Sequence, residues 1–339
     1  MRGTILHGPR DVRFEAVAIP TIVKPTDAII RLAATCVCGS DLWPYRGIQP
    51  IAEPTPMGHE YCGVITEVGD AVALVKPGQF VIGSFFASDN TCPNCQAGYQ
   101  SSCMNREFVG TAQAGMMRVP LADGTLVATP DIPPAEMIPD LLTLSDVMGT
   151  GWFAAEAADV VPGKTVVVVG DGAVGLLAVL SAKLKGAGRI IAMSGHAPRQ
   201  ALAREFGATD IVSERGDAGV GRIMEMTGGI GADCVLECVG LQESFMQAIR
   251  SARKGGHVSF VGVPHQVKLD GAELFFSHIH LHGGPAPVRR FLPELINLVW
   301  AGKIHPGKVF DLKLPLEEVA EAYRAMDERR AIKALLLPG

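Results

Sequence analysis

The pattern of hydrophobic and polar positions changes character near residue 150. Before that point the chain holds short runs rich in β-branched and aromatic residues, separated by Pro and Gly clusters and with little helical periodicity. Clear examples are DAIIRLAAT (27–35), YCGVITEVG (61–69) and GQFVIGSFF (78–86). These runs predict a compact, barrel-like β domain.

From Lys164 onward, strand-like and helix-like segments alternate. The strand-like segments are KTVVVVG, RIIAMS, TDIVSE, DCVLECVG and HVSFVGVP. The helix-like segments between them are GLLAVLSAKLKGAG, PRQALAREFGA, GVGRIMEMTGG and ESFMQAIRSARKGG. Such alternation predicts a parallel, doubly wound sheet with helices on its faces.

The alternation stops after HLHGGPAPVRR. The remaining tail contains two helix-like segments, RFLPELINLVWAGK and LEEVAEAYRAMDE, and a final strand-like segment, AIKALLLP. We expect this tail to belong with the first half of the chain.

The composition favours a protein that acts on small molecules. The chain has 339 residues, of which 48% are hydrophobic and 19% charged, and its length suggests about two domains. A net charge of −5 offers no basic face for nucleic acid, and no stretch is apolar enough to predict a membrane span. The amino terminus lacks the apolar core of a signal peptide, so we expect a cytoplasmic protein. Its eight cysteines have clustered spacings that favour metal ligation over disulfides.

A glycine-rich turn follows the first strand of the second half. In VVVVGDGAVGLLA, the glycines Gly170, Gly172 and Gly175 have G-x-G-x-x-G spacing, with Ala173 and Val174 between the last two. These glycines suit a tight turn, close approach of the backbone to a pyrophosphate, and close helix–strand packing. The following helix N-terminus offers N–H groups to the phosphates. A tight turn without a ligand is the alternative.

Candidate metal ligands occur in two segments of the β half. ATCVCGSDLWPY and PMGHEYCGVITEVGDAV contribute Cys38, Ser40, Asp41, His59 and Glu60. Cysteine and histidine are preferred zinc donors. Taken alone, His59 beside an acid could equally be a hydrogen-bonded core histidine.

The wider context of His59 resembles a known family. The stretch G-H-E-x2-G-x5-G-x2-V, from Gly58 to Val72, is similar to the signature of the zinc-containing alcohol dehydrogenases, in the medium-chain dehydrogenase/reductase family. The C-G-S-D segment, a C-x-x-C segment and the glycine turn follow that family's order. The resemblance implies a GroES-like β-barrel catalytic domain formed by residues 1–150 and 287–339, and a Rossmann domain formed by residues 151–286.

The resemblance also implies a catalytic zinc bound by Cys38, His59 and Asp146. Asp146 stands five residues before Gly151, where many members have a cysteine, and a carboxylate is the harder donor, so this zinc should be more Lewis acidic. Glu60 would lie behind the ligands or bind transiently during water exchange. The alternative for Asp146 is a helix cap.

Two further residues near this zinc have implied roles. Ser40 matches the hydroxyl that hydrogen-bonds the substrate oxygen and begins the proton relay. Several relatives complete that relay with a histidine where this chain has Trp43, and an indole N–H only donates. We therefore expect the relay to run through Ser40, the cofactor ribose and water, or through another residue.

A second metal site is implied by SDNTCPNCQAGYQSSC, residues 88–103. The family's structural-zinc lobe has four cysteines, and aligning Cys92, Cys95 and Cys103 with its last three places Asp89 at the first. One aspartate and three cysteines can close tetrahedrally around zinc and leave no position for substrate. We therefore expect two zinc ions per chain, one catalytic and one structural. Three free cysteines on an unmetallated loop are the alternative.

Cofactor choice depends on the end of the second Rossmann strand. NAD-specific domains place an acid there, whereas this chain reads RIIAMSGHAPRQ, with Ser194, Gly195, His196 and Arg199 and no acid before Glu205. A hydroxyl and a guanidinium can bind a 2′-phosphate. The sequence therefore predicts a preference for NADP(H) over NAD(H), stronger as His196 becomes protonated at lower pH. Alternatively, Arg199 is a solvated residue of a first helical turn.

Taken together, the sequence predicts a zinc-dependent oxidoreductase that moves a hydride between NADP(H) and a secondary alcohol or ketone. Trp43 and Phe85 are expected in an apolar substrate pocket, although either could be a core residue. We expect a homodimer or homotetramer, with neither nucleic acid nor a membrane as partner. The competing hypotheses are a zinc-free, quinone-type medium-chain reductase and a nucleotide-binding protein without catalysis.

Overall fold

Two structural units divide the chain. The computed structural model describes residues 1–339, and contacts separate Met1–Gly149 with Pro287–Gly339 from Thr150–Ala286. The carboxyl-terminal tail therefore joins the first half of the sequence.

The strands of the two units occupy different parts of the chain. The first unit begins with β1 (Arg2–Gly8), β2 (Asp11–Ala16), β3 (Ala28–Cys36), β4 (Thr55–Pro56), β5 (Tyr61–Val68), β6 (Phe80–Gly83), β7 (Phe86–Ala87), β8 (Glu107–Phe108), β9 (Met116–Val119) and β10 (Leu126–Ala128). The second unit contains β11 (Thr165–Val169), β12 (Arg189–Met193), β13 (Asp210–Val212), β14 (Ala232–Glu237), β15 (Ala252–Phe260) and β16 (His280–Gly283). The tail adds β17 (Phe310–Pro315) and β18 (Lys333–Leu337) to the first unit.

Most long helices belong to the second half of the chain. Before the glycine turn lie α1 (Leu42–Tyr45), α2 (Pro93–Gln96), α3 (Ala122–Thr125), α4 (Ile138–Thr143) and α5 (Val147–Ala157). After it come α6 (Ala173–Leu184), α7 (Ala197–Phe206), α8 (Gly216–Met226), α9 (Gln242–Ser251), α10 (Gly271–Ser277), α11 (Val288–Trp300) and α12 (Val319–Asp327). None of them combines the length and the apolar character that crossing a bilayer would require.

The first unit is built around a seven-stranded sheet. Its order is β10-β6-β5-β3-β18-β17, with β9 also paired to β3, and only the β17–β18 pair is parallel. A three-stranded sheet, β2-β1-β4, and the hairpin β7–β8 complete the unit. One buried cluster includes Ile30, Tyr61, Ile65, Val81 and Met117. The predicted β domain is confirmed, and β18 brings the end of the tail against β3.

The second unit is a six-stranded parallel sheet of order β13-β12-β11-β14-β15-β16. Its core contains Val167, Ile191, Val235 and Val258, which come from four adjacent strands. In this strand order the numbers fall from β13 to β11 and then rise from β14 to β16. The glycine turn after β11 therefore lies at the topological switch point, where doubly wound sheets bind nucleotides. The predicted doubly wound sheet is confirmed.

One predicted helix extends too far. The segment ESFMQAIRSARKGG indicates a helix to residue 256, but α9 ends at Ser251 and residues 252–256 form the start of β15. Ala252 pairs with Ala232 of β14, and Gly255 has φ +68°, a conformation that a helix interior does not use. Strand pairing between distant segments therefore overrides the local helical pattern.

Candidate metal centres and cofactor turn

Four ionisable side chains meet in the first unit: Cys38, His59, Glu60 and Asp146. Cys38 lies just after β3, His59 and Glu60 precede β5, and Asp146 lies between α4 and α5. All four are buried, and their candidate ligand atoms lie within 4.8 Å of one another. The fold thus joins segments that are far apart in the sequence.

The donor spacing fits tetrahedral zinc. Zinc bonds of about 2.0–2.1 Å to nitrogen and oxygen and about 2.3 Å to sulfur place N–O pairs about 3.3 Å apart and S–O pairs about 3.5 Å apart. In the structure, His59 Nε2 is 3.2 Å from Asp146 Oδ2, and Cys38 Sγ is 3.6 Å from the same oxygen. The Asp146 carboxylate therefore points at the other two donors, as a ligand would.

Asp41 orients the histidine. His59 Nδ1 lies 3.2 Å from Asp41 Oδ1, while Asp41 Oδ2 accepts a hydrogen bond from the Cys38 backbone N–H at 2.9 Å. A proton on Nδ1 leaves Nε2 as the metal-binding nitrogen, as carboxylate–histidine–zinc arrangements require. Burial alone would lower the pKa of His59, but charge interactions with Asp41 and Cys38 and hydrogen bonds to Asp146 and Asp41 raise it well above its ordinary value. The cluster therefore attracts positive charge.

A buried ion pair lies behind the ligands. Lys333 Nζ, from β18, is 2.6 Å from Glu60 Oε1 and donates to the Val37 carbonyl at 3.2 Å. Both side chains of the pair are 1% exposed, and Glu60 Oε2 has no hydrogen-bond partner. Burial raises the pKa of Glu60, and Lys333 opposes that effect. An unpartnered carboxylate oxygen beside Cys38 and Asp146 fits a cation in this cluster.

Aromatic rings flank the histidine. The Phe85 ring is 6.1 Å from the His59 ring, nearly perpendicular to it, and the Phe108 ring is 5.7 Å away. Phe85 is buried, whereas Phe108 is 59% exposed. Phe108 was not predicted, because nothing in its local sequence marks it as a neighbour of His59.

Ser40 and Trp43 lie on the segment that follows Cys38. Ser40 is half-buried between Cys38 and Asp41, and Trp43 is half-buried in α1 with the Arg46 guanidinium 5.9 Å from its ring centre. A separate cavity of about 430 Å³ touches Phe108 but none of the four ligand candidates. We therefore assign that cavity no part in the chemistry.

The second cluster consists of Asp89, Cys92, Cys95 and Cys103, whose candidate ligand atoms also lie within 4.8 Å of one another. Tetrahedral zinc places two sulfur ligands about 3.8 Å apart. Cys92 Sγ is 3.5 Å from Cys95 Sγ and 3.9 Å from Cys103 Sγ, and Cys95 Sγ is 3.5 Å from Asp89 Oδ1. The spacing fits a closed four-ligand site.

Backbone amides support the charges of this cluster. The Met104 N–H donates to Cys92 Sγ at 3.5 Å, and the Asn105 and Asp89 N–H groups donate to Cys103 Sγ at 3.3 and 3.4 Å. Burial would raise the pKa of Asp89, but hydrogen bonds from the Thr91 and Cys92 N–H groups hold it well below its usual value. Asp89 is therefore ionised and available as a metal ligand.

The glycine turn in the second unit fits a nucleotide. Gly170 has φ +117°, and a Cβ at Gly175 would lie 2.1 Å from the Gly170 carbonyl oxygen, so the fold itself requires glycine at both positions. A Cβ at Gly172 would meet no protein atom within 4 Å. Gly172 precedes Ala173 and Val174, the first residues of α6, so open space lies where a pyrophosphate would approach the helix N-terminus.

The residues predicted to select the cofactor lie near this turn. Ser194 follows β12 and is buried, Gly195 and His196 are exposed, and Arg199 is buried in the first turn of α7. Ser194 and Arg199 both contact Asp171, a residue of the glycine turn to which sequence reasoning gave no role. The structure therefore does not show Arg199 as a solvated side chain.

Fold and site define a class of protein: a dehydrogenase with two clusters of candidate metal donors in a β domain and a dinucleotide turn in a Rossmann domain. Residues 24–131 match the family model described as alcohol dehydrogenase GroES-like domain, and residues 173–300 match the model described as zinc-binding dehydrogenase. The chain belongs to the zinc-containing alcohol dehydrogenase family of medium-chain dehydrogenases and is an oxidoreductase. The predicted family and fold class are confirmed.

Known relatives cover nearly the whole chain. A probable zinc-binding alcohol dehydrogenase of Mycobacterium tuberculosis is 35% identical over 95% of this chain and 84% of its own length. The solved alcohol dehydrogenase from Thermus sp. ATN1 is 29% identical, with a TM-score of 0.91 and complete coverage of both chains. A putative zinc-binding dehydrogenase from Sinorhizobium meliloti, solved bound to NADP, is 26% identical, with a TM-score of 0.81 and 99% coverage of each chain.

Proposed function

We propose that this protein transfers a hydride between NADP(H) and a secondary alcohol or ketone, with zinc acting on the substrate oxygen. The observation that carries the proposal is the convergence of Cys38, His59 and Asp146 with the spacing of zinc donors. Three protein ligands leave one position of a tetrahedral site for substrate, which is the arrangement of catalytic zinc.

When bound, zinc supplies Lewis acidity toward the substrate oxygen, and the nicotinamide ring exchanges the hydride. The protein's own residues position these groups and handle the proton. Asp41 holds the ring of His59 with Nε2 toward the other donors. Ser40 is proposed to hydrogen-bond the substrate oxygen and to begin the proton relay, which Trp43 cannot complete because its indole N–H only donates.

Lys333 keeps Glu60 in place behind the ligands. Glu60 is proposed to act as a transient fourth donor during water exchange, since one of its oxygens has no hydrogen-bond partner. Losing either member would leave the other charged and buried, which costs about 3–5 kcal/mol in comparable pairs. The pair therefore fixes a carboxylate beside the metal at a depth where an unpaired acid would become neutral.

An apolar substrate is supported by the aromatic rings beside His59. Phe85 and Phe108 offer apolar surface near the ligands and no charge that would select a phosphate or carboxylate group. Trp43, on α1, is proposed as a third wall of the pocket. We propose a secondary alcohol or ketone as the substrate class.

The preference for NADP(H) is supported by the end of β12. Ser194 occupies the position where NAD-specific domains have an acid, and Arg199 lies five residues further on. We also propose a cytoplasmic location, because a reducing compartment favours cysteines that form no disulfide, as all eight do here. We further propose a homodimeric or homotetrameric assembly.

The competing hypotheses do not account for the metal clusters. A zinc-free reductase or a non-catalytic nucleotide-binding protein would use the glycine turn, but neither needs two groups of four donors. The zinc-dependent reaction accounts for the Cys38, His59 and Asp146 cluster and the turn, and a structural zinc accounts for the second cluster.

Steady-state assays with a panel of primary alcohols, secondary alcohols and ketones test the proposal, each with NADP(H) and NAD(H). We expect kcat/KM for secondary substrates to exceed that for primary ones. We also expect kcat/KM to be at least about tenfold higher with NADP(H) than with NAD(H), because a charge-assisted contact to the 2′-phosphate has an effect of this size. Equal efficiency with both cofactors refutes the NADP(H) assignment. Absence of turnover with every alcohol and ketone refutes the substrate class.

A further inference from the structure

Three side chains from separate elements meet at the carboxyl edge of the parallel sheet. Ser194 Oγ, just after β12, donates to Asp171 Oδ2 at 2.9 Å. Arg199 Nη1, on α7, lies 3.5 Å from Asp171 Oδ1 and donates to the Asp171 carbonyl at 3.1 Å. All three residues are more than nine-tenths buried. Asp171 itself lies between Gly170 and Gly172, inside the phosphate-binding turn.

Asp171 supplies a carboxylate near the end of β12, where the strand itself has no acidic residue. In dinucleotide-binding sheets, the residue that ends the second strand receives the ribose hydroxyls, and an acid there favours NAD. Here that residue is Ser194, and its hydroxyl hydrogen-bonds Asp171. The acid therefore lies one hydrogen bond away from the usual position and comes from the glycine turn instead of the strand.

The same carboxylate balances the charge of Arg199. A 2′-phosphate carries negative charge, so Arg199 attracts it and Asp171 repels it. Because both groups are buried, bulk water and salt screen these interactions weakly. The affinity for NADP(H) then depends on the balance between the two charges and not on Arg199 alone.

We propose that Asp171 is a cofactor-selecting residue whose carboxylate offsets Arg199 and limits the preference for NADP(H). The inference rests on the proposed function only in requiring that a nicotinamide dinucleotide binds at Gly170–Gly175. It assigns selectivity to the second residue of the glycine motif, which fingerprints for this turn leave unspecified.

The test is an Asp171→Asn variant, which removes the negative charge and keeps an oxygen that can accept from Ser194. Dissociation constants for NADPH and NADH are measured by fluorescence titration, which needs no substrate and no turnover. We expect NADPH to bind about tenfold more tightly and NADH to change by less than about threefold, since only NADPH carries the extra phosphate. The ratio of the two constants is the readout.

Asp210→Asn is the matched control. Asp210 forms an ion pair with Arg189 in the same unit, at 2.9 Å, but these residues begin β13 and β12, at the sheet edge opposite the turn. The same charge change there should leave the ratio unaltered. A similar ratio shift in both variants would make the effect one of net charge and would overturn the inference.

A second charge-removing substitution keeps the test decisive if Asp171→Asn is unstable. Asp171→Ser removes the same carboxylate, so NADPH should again bind about tenfold more tightly while NADH is nearly unaffected. An unchanged ratio in either folded variant, or equal weakening of both cofactors, overturns the proposal. If the wild-type protein prefers NADH, only the NADP(H) assignment is refuted. A tenfold shift of the ratio in Asp171→Asn would then still support the role of Asp171.

Discussion

At the scale of single residues, the proposed catalytic cluster is a connected set of charges. Asp146 contacts both Cys38 and His59, and Asp41 supports both of them from the other side. Burial and the nearby Asp146 raise the pKa of the Cys38 thiol, while His59 lowers it. A divalent cation would reverse that tendency, because metal-bound thiols are deprotonated.

Asp146→Asn tests the role of the acidic ligand. The amide keeps the shape of the side chain but loses the charge and half of the oxygen donors, so turnover should fall at least about a hundredfold. Asp146 does not belong to the glycine turn, so the NADPH dissociation constant should stay within about threefold. Steady-state kinetics measures the turnover and fluorescence titration measures the NADPH dissociation constant, both on one preparation. Equal losses in turnover and cofactor binding would make Asp146 a structural residue.

Sequence reasoning found the ligand candidates but missed the residues that support them. Cys92 and Cys95 are recognisable because their spacing is local, and His59 because its flanking glycines form a motif. Lys333 lies 273 residues from Glu60 in the sequence and meets it only because β18 pairs with β3. Asp171 is visible inside the glycine motif, yet its contacts with Ser194 and Arg199 depend on the neighbouring strand and helix. Long-range contacts of this kind leave no periodic signal.

At the scale of elements, the segment from Asp89 to Asn105 has little regular structure of its own. It contains the four-residue helix α2 and a short 3₁₀ turn, Gln100–Ser102. Its cysteines make N–H···S hydrogen bonds and contacts with one another in place of a large apolar core. On the proposed assignment of a structural zinc, metal binding would supply a main part of the free energy that orders this segment.

Cys103→Ser should remove the structural zinc and leave the catalytic one. We expect zinc content to fall by about one ion per chain and the free energy of unfolding to fall by about 2 kcal/mol or more. Turnover at low temperature should change little, since none of the proposed catalytic ligands is altered. Elemental analysis and thermal denaturation measure the two effects.

Cys234→Ser is the control for this variant. Cys234 is buried in β14 and belongs to neither cluster. It should retain all bound zinc. If Cys103→Ser also retained it, the four-residue site would be disproved.

Elements with a clear hydrophobic period were predicted well, but the residues at which they begin and end were predicted less well. The parallel strands of the second unit follow the β-branched runs, because strands buried on both faces read as continuous apolar segments. The start of β15 was assigned to a helix, because ARKGG carries no strand signal and becomes a strand by pairing with β14. Strand β17 was not predicted at all, and its parallel partner β18 provides the pairing.

At the scale of the whole molecule, the two units contain different candidate functional residues. Residues 1–149 and 287–339 contain both clusters of candidate metal donors, and residues 150–286 contain the glycine turn with Asp171, Ser194 and Arg199. Each unit has its own buried core. The tail belongs structurally to the first unit, because β18 contributes Lys333 to the pair with Glu60.

Zinc content measured together with activity tests the central claim most directly. Purified protein should contain about two zinc ions per chain by elemental analysis. Chelation that removes the metal of the Cys38, His59 and Asp146 cluster should abolish alcohol oxidation, while NADPH binding persists, and added zinc should restore turnover. A preparation without zinc that retains full reductase activity would contradict the account.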